Sequence, residues 1–152
     1  MTGEQHAKLH AAVGIGLSCG AIALISQCAP CADETMLALL GYALGAVVTP
    51  DWDLPRTRAH ALMRRVPIVG WALVAYARLY ARIFAHRGIS HLPIIGTLTR
   101  AAWLLAPLVA FGLRPPTHAV MLVVAGLSAA DVVHLIGDAI GTRRKYNRRS
   151  DE

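Results

Sequence analysis

The chain is poor in aromatic residues and in acidic charge. Phe, Trp and Tyr make up 6% of its 152 residues, and 9 Asp and Glu stand against 15 Lys and Arg. Charged residues of either sign reach only 16%, below the rough quarter of an ordinary soluble domain, while 55% of the chain is hydrophobic. The apolar content is mostly Ala, Leu, Val and Ile, which suits helices facing lipid and argues against an ordinary water-covered surface. The formal net charge of +6 does not imply a nucleic-acid partner. Its basic residues cluster beside apolar runs, where they act as topology signals and as contacts to anionic lipid headgroups. Cysteine is scarce as well. Cys19 falls within an apolar run and reads as core, and Cys28-Ala29-Pro30-Cys31 lacks the second pair that a structural zinc site needs. A loop disulfide or two free thiols remain. No internal repeat and no low-complexity tract is evident, and no cleavage site follows the first apolar run, so that run is expected to stay in the mature protein. One domain is natural at this length, here residues 1–142 with a basic, frayed tail over 143–152.

What the chain does have is a series of apolar runs. The expected fold is an all-α integral membrane protein with four transmembrane helices and an interfacial or re-entrant amphipathic helix. The spans read as 11–29, about 35–50, about 92–113 and about 117–140. The second is short against the roughly 20 residues that cross a bilayer core. It holds Gly41, Gly45 and Ala46, small residues that let membrane helices approach closely. Between the second and third spans, Arg56, Arg58, Arg64, Arg65, Arg78, Arg82 and Arg87 alternate with Trp71, Tyr76 and Tyr80, a pattern for a helix at the interface. Charge asymmetry places this segment and the basic tail in the cytoplasm, with Asp33-Glu34 and Arg114-Pro115-Pro116 outside. Both termini are then cytoplasmic.

That topology gathers polar residues at one face. Asp131, His134 and Asp138 are spaced three and four apart and share a helix face, and ionisable groups inside a span are functional candidates. Asp51 and Asp53 lie two apart after Pro50, suited to grip a cation. His86 and His91 flank Arg87, Gly88, Ile89 and Ser90, with Gly88 letting the backbone turn. His6 and His10 are one turn apart on the first helix, and either could complete the set. His60 and His118 have no acidic companion. Mixed His and Asp donors without Cys suit zinc, ahead of manganese or iron. Their number exceeds the three protein ligands usual at one catalytic zinc, so two divalent ions are expected, activating a water for hydrolysis.

The order of these motifs is His near the N-terminus, Pro50-Asp51-Trp52-Asp53, His86-Arg87-Gly88-Ile89-Ser90-His91, then His134 and Asp138. It resembles the bacterial family of membrane-bound metal-dependent hydrolases and a sister group of uncharacterised metal-binding membrane proteins. The resemblance favours His6 over His10, since the opening Met1-Thr2-Gly3-Glu4-Gln5-His6 is similar. It implies metal ligands at His6, Asp51, Asp53, His86, His91, His134 and Asp138, with His10 and Asp131 as supporting or alternative ligands. It also implies a bacterial inner-membrane location. The expected function is hydrolysis of a phosphoester in a lipid or amphiphile at the cytoplasmic leaflet, with Arg87 and Arg100 holding the anion. A lipid amide or ester hydrolase and a non-enzymatic metal-binding or transport protein are the alternatives. Arg100, inside a span, needs a buried partner, Asp131 or Asp138. The oligomeric state stays open.

Overall fold

The computed structural model describes residues 3–49, 61, 63–84, 92 and 94–150, without the side chains of 4, 6, 29 and 143–150. Among these residues the chain forms five α-helices and one short 3-10 turn. They are α1 (Gly3–Gln27), the turn Ala29–Cys31, α2 (Ala32–Val47), α3 (Val69–Ile83), α4 (Ile95–Ala110) and α5 (Thr117–Ser150). The backbone of α5 is helical through the basic tail, which the sequence reads as frayed.

α2 and α5 make the most extensive contact, and small residues are the reason. A Cβ at Gly41 would run into the Val123 carbonyl, and one at Gly126 into the Ala38 carbonyl. At Gly45 it would lie 2.7 Å from the Ala130 Cβ. Helices without a hydrophobic drive toward one another gain from such close backbone packing. α1 lies along both, antiparallel to α5. Its early His10 ring stands 6.2 Å from the ring of His134. Its later residues Gly16 to Leu24 instead border a cleft of about 430 Å³ with Ala125, Gly126 and Ala129.

Two helices are long and apolar enough to cross a membrane, Ala7–Gln27 within α1 and Thr117–Thr142 within α5. This corrects the expectation of four spans. α2 and α4 have 16 residues each, about 24 Å at 1.5 Å per residue against a core of roughly 30 Å. Local chemistry sets their ends. α2 opens on Asp33 and Glu34. α4 follows Ile94 at φ 68°, holds Pro107 in its last turn, and stops before Gly112 at φ 79° and the Pro115-Pro116 pair. Hydroxyls on the candidate spans bond back to their own helix, Ser18 to the Gly14 carbonyl and Ser128 to that of Val124, which satisfies them without water.

The expected interfacial or re-entrant amphipathic helix is corrected too. α3 forms, and its polar face is outward at Arg78 and Arg82. Its other face, Gly70, Val74, Ala77 and Tyr80, is buried. The Tyr76 ring stacks on Trp103 of α4 at 4.8 Å, and the Tyr76 hydroxyl donates to the Trp103 carbonyl. Val48, just after α2, joins Ala77 and Tyr80 in the core. The helix is therefore built into the bundle. Its start is strained: Ile68 has φ 61° and ψ −65°, and the Val69 N–H donates to the Pro67 carbonyl at 2.6 Å. This is a γ-turn of the rare hand. Ile94 repeats the conformation at φ 68° and ψ −59°. The sequence repeats with it, as Pro67-Ile68-Val69-Gly70 and Pro93-Ile94-Ile95-Gly96, a short repeat that inspection for longer periods passes over.

Candidate metal centre

The three polar residues of α5 share one face, as their spacing dictates, and that face turns into the bundle. Asp131 and His134 are buried, whereas the Asp138 side chain, a turn further on, is 45% exposed. His134 Nε2 lies 3.4 Å from Asp138 Oδ2. Two donors held about 2.1 Å from one ion at the tetrahedral angle are about 3.4 Å apart. The pair thus has the spacing of one edge of a metal site.

α1 contributes His10, buried, with its ring 6.2 Å from those of His134 and Tyr42. The Tyr42 hydroxyl donates to the His10 carbonyl at 3.1 Å, tying α2 to α1 at this level. Of the two first-helix histidines, His10 is the one whose side chain is seen at the site. The backbone of His6 is described, but its side chain lies outside the described set.

α4 contributes Arg100, only 1% exposed, and Thr97 one turn before it. Arg100 Nη2 and the Thr97 hydroxyl both donate to Asp131 Oδ2. Of the two carboxylates expected as partners for Arg100, the structure selects Asp131. Asp131 Oδ1 and Arg100 Nε and Nη1 are buried without a hydrogen-bond partner among the described residues. A buried ion pair repays its desolvation only when its remaining lone pairs and protons are satisfied, so these atoms mark where a further polar group fits. Alongside, the Tyr80 hydroxyl meets Thr99 Oγ1 at 3.1 Å.

The structure therefore brings His10, Arg100, Asp131, His134 and Asp138 to one end of the bundle. Asp51, Asp53, His86, Arg87, His91 and His60 lie outside the described residues. His118 is exposed at the start of α5. Cys19, expected in the core, is exposed on α1. Among the described residues no group of three or more His, Cys, Asp and Glu is placed to hold a metal ion. The imidazole and carboxylate of His134 and Asp138 are donors that suit a divalent ion, and they form a partial set. Thr97 and Tyr42 were missed from sequence. Thr97 carries a signal, since it stands three residues before Arg100 and shares its face.

Residues 2–118 match the family described as uncharacterized metal-binding protein (DUF2227). The chain belongs to this family. No curated protein and no solved structure matches. Of the two groups that the sequence resembles, the match supports the metal-binding one and brings no hydrolase activity with it. The matched residues include His6, His10, Asp51, Asp53, His86, His91 and Arg100. Asp131, His134 and Asp138 fall beyond them, on the last helix.

Proposed function

We propose that this chain is a membrane-embedded metal-binding protein, holding a divalent ion where α1, α4 and α5 meet, with His134 and Asp138 as ligands. The observation that carries the reading is the 3.4 Å between His134 Nε2 and Asp138 Oδ2, in a chain of a metal-binding family. Asp51, Asp53, His86 and His91 are proposed to complete the ligand set, with His6 or His10 from α1, and two ions to fill it. Zinc is preferred for this donor mixture. α1 and α5 are the proposed membrane crossings, in the bacterial inner membrane, with both termini on one side of it. Titration of the purified, metal-stripped chain with cobalt(II) tests the reading without any activity. A saturable visible spectrum that zinc abolishes is expected, and no spectrum at stoichiometric cobalt would overturn it.

One observation favours a second reading, hydrolysis of an amphiphilic phosphoester. Arg100 keeps two buried nitrogens, Nε and Nη1, without a hydrogen-bond partner among the described residues, which a site that only stores metal does not require. When bound, a divalent ion would supply Lewis acidity to a water or to an ester oxygen. The residues around it then divide the remaining work. Thr97 fixes Asp131, Asp131 orients Arg100, and Arg100 turns its open nitrogens toward an oxyanion. The cleft beside Tyr42 would take the apolar part of the substrate. Arg87 would serve as a second anion holder. Arg87→Gln, which removes no ligand, should keep its metal and lose phosphoester turnover by on the order of 10²–10³-fold. Full turnover in that variant would exclude the role.

A further inference from the structure

At the end of α1 opposite to the His10 layer, a disulfide joins Cys28 and Cys31. A bond across so few residues ties no distant parts of the chain together, and short loops gain least from closure. Nor does the turn depend on it. The Cys28 N–H donates to the Leu24 carbonyl at 2.8 Å, and the Cys31 N–H to that of Cys28 at 3.0 Å. The Thr35 hydroxyl donates to the Cys31 carbonyl at 2.7 Å. A bond that adds little to the fold and can open without dismantling the turn is suited to chemistry. Both cysteines are half-buried and Pro30 between them is exposed, so a partner thiol has access.

The two sulfurs are not equivalent. Cys31 is the N-cap of α2, with φ −85° and ψ 0°, and its own side chain makes no capping hydrogen bond. The unpaired N–H groups and positive dipole end of a helix stabilise a thiolate at this position. Asp33 and Glu34 in the same first turn oppose that effect in part.

We propose that Cys28 and Cys31 are a redox-active pair that undergoes thiol–disulfide exchange with an external dithiol, with Cys28 as the attacked sulfur. The incoming thiolate bonds to Cys28 Sγ, the Cys28–Cys31 bond breaks, and Cys31 Sγ leaves as a thiolate that takes up a proton. The partner's second thiolate then attacks its own sulfur in the mixed disulfide. Cys28 Sγ is released and protonated, and the partner holds the new disulfide. Two electrons pass from the dithiol to the pair. A leaving sulfur whose thiolate is stabilised departs faster, which makes Cys31 the leaving group. The proposal does not rest on the metal reading, so either can fail alone.

The test uses the full chain carrying Cys19→Ser, in detergent, equilibrated with mixtures of reduced and oxidised dithiothreitol. Acid quenching, maleimide tagging and mass spectrometry then count the thiols. Zero or two tags should interconvert reversibly with the ratio, while circular dichroism shows unchanged helix content. With glutathione in place of dithiothreitol, the first mixed disulfide should form at Cys28 over Cys31 by about tenfold or more. A bond that resists an excess of reduced dithiothreitol on the order of 100-fold until the chain unfolds would be structural. That result, or thiols that do not re-form the bond in oxidised dithiothreitol, overturns the proposal. Equal or reversed trapping at the two cysteines overturns the assignment of Cys28.

Discussion

Arg100 and Asp131 show what a single residue means in this fold. Each is a costly group to bury, and each is tolerated because the other is within bonding distance. Asp131→Ala should therefore cost more than a lost hydrogen bond, about 3–5 kcal/mol, because it leaves the guanidinium buried and uncompensated. The double variant Arg100→Met with Asp131→Leu should recover most of that loss. Thermal unfolding of the unsubstituted chain, Asp131→Ala, Arg100→Met, Asp131→Leu and the double variant in one detergent checks both statements, and additive losses in the double variant would show that the two side chains do not interact. Backbone strain is the other expectation at this scale. Ile68 and Ile94 hold a left-handed φ while 86% and 74% exposed, so their side chains contribute little packing. A strained conformation costs about 1–3 kcal/mol, and glycine adopts it freely. Ile68→Gly should raise stability by roughly 0–2 kcal/mol after the greater chain entropy of glycine is deducted. A clear loss would mean that the Ile68 side chain does more than its exposure suggests. The sequence made the Arg100 requirement legible, because an arginine in an apolar run demands an anion. It also made Asp131 and His134 legible through helical spacing. The strained isoleucines were not, since nothing in an isoleucine announces a positive φ, and Cys19 was misread because an apolar run says nothing about which face is covered.

Elements follow from the same chemistry, and small residues decide which of them meet. The glycines of α2 were readable as contact residues, and they do meet α5. Adding a β-branched side chain there leaves no room on either side, so Gly126→Val should destabilise the bundle by about 1–3 kcal/mol or more, as overpacking does. Gly20→Ala, whose added Cβ meets nothing within 4 Å, should be close to neutral. Equal effects of the two, measured by unfolding, would contradict the α2–α5 packing. The length of α4 was the misread part, whereas α2 has the 16 residues that its short apolar run offers. Apolarity continues through 92–113, but the left-handed residues Ile94 and Gly112 bound α4 more tightly, and hydropathy does not register those stops.

For the whole molecule, α1 and α5 run antiparallel, so the start of one and the end of the other share a side. If both cross the membrane, single cysteines placed at Lys8 and Thr142 should label from the same side, and cysteines at Glu34 and Arg114 from the opposite side. Labelling of Lys8 and Glu34 positions from one side only would remove α1 as a crossing. The metal is the claim on which the molecule's function turns, and elemental analysis of the purified chain tests it most directly. At least one divalent ion per chain is expected, lost from His134→Ala and from Asp138→Ala with helix content unchanged, and kept in His118→Ala. Stoichiometric metal persisting in both ligand variants, or its absence from the unsubstituted chain, would contradict it.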